Sequence, residues 1–262
     1  MIGAPEATLT GNAITLFLVV LARVGGLVVS APILCDMQVP RPVKVVLSLV
    51  LSFVLVQTPR VAGARVPVDL APFVLLVLAQ LVVGLVLGFV ARTIFLAVQT
   101  AGGIVSLQTG LSMASVLNPL TRQPDPVISQ LYTLVASTTF LAVNGDAWLV
   151  ASLARSFDLA PLTASSASPA LLSGVIADTL AVTGIGLQIA LPIAASLFAA
   201  NIVLGVVSRS MPQLNVYVLS MPLNLILGLL ALIAALGGTV LVIGHLTGQL
   251  PHMMLDPLMQ HG

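Results

Sequence analysis

The residues that could do chemistry in this chain are few and far apart. His245, His252 and His261 sit near the C-terminus and follow no metal-ligand spacing. Cys35 is the only cysteine, so neither an intrachain disulfide nor a cysteine metal site can form. The acids are lone and distant in sequence, which denies the paired carboxylates that general acid–base chemistry uses. No phosphate-binding G-x-x-x-x-G-K-[ST], no H-E-x-x-H and no G-x-S-x-G occurs. Gly184-Ile185-Gly186 lies in an apolar run without the rest of a dinucleotide fingerprint. The pattern predicts no enzyme, no cofactor and no metal.

Charge is the other chemistry available. Arg23, Asp146, Asp178 and Arg209 lie inside or at the edges of apolar segments. A charge at bilayer depth costs a few kcal/mol on insertion scales, so each needs a partner or water. One reading is an ion or proton path. The favoured reading is structural: an Arg paired with an Asp across helices, or side chains snorkelling at helix ends. Arg155, Asp158 and Arg209 already read as interfacial, whereas Arg23 is central in its run. A proton path would want several acids on one face, and Asp178 is the only plausible interior acid in the second half.

Composition explains why those charges stand out. The 262 residues carry nine Lys/Arg and eight Asp/Glu, so 6% are charged and 58% hydrophobic, with a mean hydropathy of +1.16. A soluble domain runs near ~25% charged, and this chain has too little charge to coat such a surface. Disorder is excluded by the same numbers. A net charge of +1 without a basic patch, and eight Phe, two Tyr and Trp148 as the only aromatics, predict no nucleic-acid partner. Membrane lipid, or a larger apolar assembly, remains as the environment. The first apolar run is expected to be retained, because Glu6 precedes it without Lys or Arg and no small-x-small site closes it.

The elements that must position these residues read as about six hydrophobic segments. The first runs from Ala13 to Leu34, and a short second run covers Val45 to Val56. That run is brief for a crossing that needs roughly 20 apolar residues, so it borrows flanking residues or does not cross fully. Leu70 to Phe89 contains Gly84-x-x-x-Gly88, a spacing that lets another helix approach closely, although glycine is also simply common in membrane helices. From Arg92 to Leu117 the polar residues Gln99, Ser106, Gln108 and Thr109 predict packing against protein or a wet cavity. Asn118 to Pro126 is a proline-broken loop. Val127 to Val150 carries Asn144-Gly145-Asp146 near its end, and a second loop runs from Phe157 to Pro169. Leu171 to Ser208 and Val216 to Leu246 form a helical hairpin around the polar turn Arg209 to Asn215, and 247–262 is a short tail. Lys44 is the only lysine and the arginines are scattered, so charge bias leaves orientation open.

Four stretches carry a family resemblance. They are Ala22-Arg23 with Ser30-Ala31-Pro32 and Val39-Pro40; Gly110 to Ser115 with Asn118-Pro119 and Pro126 to Gln130; Leu141 to Gly145; and Leu191-Pro192 through Asn201, Leu204 to Arg209 and Pro212-Gln213-Leu214-Asn215. In this order and spacing they make the chain resemble the FliR/SctT family, the export-gate components of flagellar and injectisome type III secretion. The resemblance covers nearly the whole chain, and the Pro-Gln-Leu-Asn turn is its most specific part.

The resemblance implies an all-α fold of membrane-type helical hairpins. Residues 1–170 would be a FliP-like part, 171–246 a FliQ-like hairpin and 247–262 a tail. It implies a structural and gating role, completing a helical gate with FliP-like and FliQ-like subunits beside FlhA-like and FlhB-like export proteins. Unfolded proteins would pass through that gate. The location implied is the bacterial inner membrane, multi-pass, at the flagellar basal body. A plug loop would map to about 110–125, with Gly110, Leu111, Met113, Val116, Leu117, Asn118 and Pro119 at the pore. Apolar constrictions resist ions and methionine seals irregular gaps; the same residues could instead merely finish a packed helix. Many relatives have Asp where Asn118 stands and Gly near Arg122; an Arg there would make the loop stiffer and more polar. Arg23, Asp178 and Arg209 would be structural charges, with Pro212, Gln213 and Asn215 at the hairpin turn. The alternatives are an injectisome SctT-type subunit, a small secondary transporter with helix breaks at Pro192 and Pro222, and an intramembrane enzyme using Asp146 and Asp178.

Overall fold

The computed structural model describes residues 4–36, 39–62, 64, 66–67, 69–112, 127–162, 169–210 and 216–259. Among these, the chain is helical with short connections and contains no strand. The helices are α1 (Ala4–Ser30), α2 (Arg41–Val56), α3 (Pro59–Ala62), α4 (Leu70–Thr109), α5 (Val127–Ala142), α6 (Gly145–Leu159), α7 (Pro169–Ser210) and α8 (Val216–Met259). Four of them are long and apolar enough to cross a membrane, over Ala13–Ser30, Leu70–Thr109, Ser173–Ser210 and Ser220–Asp256. A fifth is added if α5 and α6 are counted as one broken span. This is the helix inventory of a multi-pass membrane protein. It fits the rule that backbone polar groups in lipid must be satisfied within the segment.

Packing divides the chain into two compact units. One collects residues 1–92, 144–179 and 249–262, and the other 93–143 and 180–248. In the first unit, α1 and the first part of α4 meet through glycine. A methyl group on Gly26 would stand 2.5 Å from the Leu81 carbonyl oxygen, and one on Gly88 would stand 2.8 Å from both the Ala31 nitrogen and the Leu27 oxygen. Gly84 lies against the Arg23 backbone. The Gly84-x-x-x-Gly88 pattern is therefore a true close crossing, and Gly26 supplies its other half. Val20, Val24, Leu27, Val83, Leu87 and Val90 fill the seam around it.

α2 packs on α1 with its faces reversed from the usual arrangement. Ser48, Ser52 and Leu55 are buried, while Val45, Val46, Val50, Phe53 and Val54 are exposed. The serines can turn inward because each hydroxyl donates to the carbonyl four residues back, Ser48 to Lys44 and Ser52 to Ser48. Pro42 sits in the first turn of α2, where its missing N–H costs nothing. The short second run thus borrows Arg41 to Lys44, and its 16 residues still span only about 24 Å.

The second unit packs the later part of α4 against α5, α7 and α8. A methyl on Gly102 would meet the Ser129 Cα at 2.6 Å, and one on Gly186 the Ala97 carbonyl at 2.5 Å. Gly228 lies against Thr109. Phe95 and Phe140 meet edge to face at 5.6 Å between centroids. Ser129 Oγ donates to the Gln99 carbonyl at 3.2 Å. Of the two roles expected for the polar residues of this part of α4, packing against protein is the one found, with Ser106 and Thr109 buried.

Three element boundaries differ from expectation, each for a local reason. α4 runs without a break through Arg92, because an exposed arginine on one face does not interrupt a helix. The run from Val127 to Val150 is broken at Asn144, which adopts the left-handed conformation (φ 56°, ψ 40°) that short polar side chains tolerate. α8 continues to Met259, so 247–259 is helical. Leu250, Met254, Leu255 and Leu258 are buried in one helical stripe, and that packing overrides Pro251 and Pro257.

Candidate functional site

Arg23 is fully buried, and among the described residues it has no carboxylate partner. Its guanidinium is held by neutral acceptors from α4 and from the C-terminal end of α6. Nε donates to Gln80 Oε1 at 2.7 Å, and Nη2 donates to the same oxygen. Nη1 donates to the Ser156 carbonyl at 2.9 Å and to Ser156 Oγ at 3.1 Å. Nη2 donates in addition to the Ala160 carbonyl at 2.7 Å. Every one of the five N–H donors of an arginine has an acceptor here. The Phe157 ring lies beneath, 4.3 Å from Cζ. Gln80 Nε2 in turn donates to the Leu162 carbonyl at 3.5 Å.

This corrects the expected ionic pairing for Arg23. The cation instead faces the partial negative charge at the C-terminus of α6, sharing the Ser156 carbonyl with the Ala160 N–H. Gln80 is the residue that sequence reading missed. Its signal was present: it is the only hydrogen-bonding side chain in the apolar run from Leu70 to Phe89.

The other charges are dispersed. Asp146 is exposed in the first turn of α6, where an anion suits the helix N-terminus. Arg209 is exposed in the last turn of α7, where a cation suits the C-terminus. Asp158 pairs with Arg60 of α3 at 3.1 Å, with both side chains well exposed. Asp178 lies within α7, and its side chain falls outside the described residues. No group of three or more His, Cys, Asp or Glu side chains that could hold a metal ion occurs among the described residues.

Of the plug residues, Gly110 and Leu111 are described. Gly110 follows α4 with φ 79°, the left-handed conformation that ends helices, and a side chain there would meet no atom within 4 Å. Met113, Val116, Leu117, Asn118 and Pro119 lie outside the described residues, as do Pro212, Gln213 and Asn215 of the hairpin turn.

Between α7 and α8, within the second unit, runs a groove of about 460 Å³, with Gln188, Pro192 and Ser196 on one wall and Ala235, Gly238 and Thr239 on the other. Its hydroxyls are satisfied by their own helices, Ser196 by the Pro192 carbonyl and Thr239 by the Ala235 carbonyl. Farther toward the turn, Asn224 Nδ2 donates to Asn201 Oδ1 at 2.9 Å and ties α8 to α7.

The first unit thus holds a buried polar clamp around Arg23, and the second an apolar groove between α7 and α8. The family of bacterial export proteins, family 1, matches residues 14–250. The flagellar biosynthetic protein FliR of Escherichia coli (strain K12) is 36% identical over 217 residues, covering 82% of each chain. FliR of Bacillus subtilis (strain 168) is 29% identical over 232 residues, covering 84% of this chain and 85% of its own. FliR of Caulobacter vibrioides is 26% identical over 226 residues, covering 85% and 89%. With nearly all of the sequence matched by one family, the chain belongs to the bacterial export proteins of family 1.

Proposed function

We propose that this chain is a structural and gating subunit of the flagellar type III protein export apparatus. In this reading it completes a helical gate with FliP-like and FliQ-like subunits in the inner membrane, next to FlhA-like and FlhB-like proteins. Unfolded flagellar proteins pass through the gate. Residues 1–170 serve as the FliP-like part and the hairpin 171–246 as the FliQ-like part. The loop at 110–125, with Met113, Val116 and Leu117, contributes to the plug, and the left-handed Gly110 gives α4 a sharp exit into it. In this reading the chain's role is structural and gating, and energy for export comes from its partners.

One observation carries the assembly reading. α4, α7 and α8 have 40, 42 and 44 residues, so each is about 60 Å or longer, roughly twice the ~30 Å hydrocarbon core. Large apolar side chains are exposed from Leu70 to Phe89 and at Leu107 in α4, from Ile176 to Val206 in α7, and from Met221 to Leu241 and at Met259 in α8, so the exposed stretch of α7 alone runs about 45 Å. Lipid covers only part of such surfaces, and the remainder needs protein. The flagellar rather than injectisome setting is supported by the FliR relatives.

The test is purification of the C-terminally tagged chain from native membranes in mild detergent. Co-elution of FliP-like and FliQ-like proteins in one large particle is expected. A folded monomer or self-dimer without them would count against the assembly and favour a small transporter.

A further inference from the structure

We infer that Arg23 is a latch that positions α6, holding the second arm of the broken α5–α6 segment by charge and hydrogen bonds more than by apolar packing. The proposal stands independently of the export reading, because it concerns the internal order of the first compact unit.

α6 is poorly equipped to dock by itself. Its buried face carries only Leu149, Leu153 and Phe157 as large apolar residues, interleaved with Gly145, Ser152 and Ser156. Its outward face carries Asp146, Trp148, Arg155 and Asp158. The same face that offers little apolar area offers the Ser156 and Ala160 carbonyls and the Ser156 hydroxyl at its C-terminal end. Arg23 takes all three, while Gln80 clamps the remaining guanidinium edge from α4. Phe157, one of the three apolar anchors, packs on the guanidinium itself. Removing the arginine would therefore leave the Ala160 carbonyl and the Gln80 amide oxygen without these donors, leave the Ser156 carbonyl only its Ala160 N–H, and take away the support of Phe157. An unpaired buried acceptor is costly, so α6 gains by leaving its seat.

The geometry also separates Arg23 from an ion path. All of its donors are committed to fixed neutral acceptors, and the side chain is sealed from solvent. The charge has no free N–H to offer a passing anion. Its role is to fix where α6 ends, and so where the segment beginning at Ala160 starts.

The test uses the full-length tagged protein in detergent and limited trypsin digestion. Arg155, exposed on α6, reports release of α6, and Arg92, exposed on α4, reports general loosening. Arg23→Met keeps an unbranched but shorter apolar stem and removes every donor. Cleavage after Arg155 is expected to speed up at least tenfold, with cleavage after Arg92 unchanged. Gln80→Met leaves Arg23 its grip on the helix end, so the same site should be cut a few-fold faster; this variant decides the matter if Arg23→Met does not accumulate. Gln80→Glu keeps the acceptor and should be cut at the parental rate. Unchanged cleavage after Arg155 in Arg23→Met, or in Gln80→Met should the first variant not accumulate, would overturn the latch. Equal acceleration at Arg92 and Arg155 would do the same, because it would make Arg23 an ordinary core residue.

Discussion

At the scale of single residues, the glycines of α1 separate space from backbone freedom. Gly25 and Gly26 are neighbours, yet a methyl on Gly25 would meet nothing within 4 Å, and one on Gly26 would strike the Leu81 carbonyl. Backbone on the receiving side cannot move aside as a flexible side chain would. Gly26→Ala is therefore expected to cost about 1–3 kcal/mol, in the range of overpacked cores. Gly25→Ala should be neutral or stabilising by up to ~1 kcal/mol, the usual helix gain over glycine. Melting temperatures in the same detergent check the pair, and an equal fall for both would refute the close crossing. The sequence carried half of this feature. Gly84-x-x-x-Gly88 is legible as a spacing, but Gly26 is one glycine among 21 and nothing local marks it as the partner. Arg23 behaved likewise. Its need for a partner followed from its place in an apolar run, whereas the partner itself stands 57 positions away and is neutral. Electrostatic cost says that a charge must be satisfied, not by which residue.

At the scale of elements, the α7–α8 hairpin was legible and its lateral fixings were not. Two long apolar runs around a polar turn suffice to expect the hairpin. The register needs side chains that recognise each other, and Asn201 and Asn224 are such a pair. Both lie in stretches where the surrounding exposed residues, Phe198, Ile202, Val203 and Ile226, are apolar. Interhelical hydrogen bonds of membrane proteins contribute modestly, averaging about 0.6 kcal/mol in double-mutant cycles, because the separated helices find other partners. A cycle of Asn201→Leu, Asn224→Leu and the double variant should give a coupling of about that size by unfolding in denaturing detergent. Coupling indistinguishable from zero would mean that the amides touch without fixing the hairpin. The C-terminal turns of α8 illustrate the opposite limit of sequence reading. The return run was expected to end at Leu246, yet the helix continues through Pro251 and Pro257 to Met259, with Leu250, Met254, Leu255 and Leu258 buried along it.

At the scale of the whole molecule, 6% charge confined the chain to lipid or a larger apolar assembly, and the long apolar runs together with the family resemblance led to the all-α membrane-type fold. What hydropathy could not divide is lipid-facing from protein-facing apolar surface, because both are equally greasy. α4 makes the division measurable. Leu70 to Ala91 runs about 33 Å, close to the thickness of a hydrocarbon core, and ends at the exposed Arg92. Beyond it come Gln99, Thr100, Ser106 and Gln108, side chains that lipid would not satisfy. Leu75 and Leu107 are exposed to similar extents, 67% and 71%, so they differ in surroundings and not in burial within the chain. In a Cys35→Ser background, Leu75→Cys should resist a water-soluble maleimide in membranes whether or not the partner subunits are present, because lipid covers it. Leu107→Cys should label readily when the FliP-like and FliQ-like proteins are deleted and become protected when they are restored. Protection of Leu107→Cys in both backgrounds would place that half of α4 in lipid too, and the length of the helix would then have to be accommodated by tilt alone.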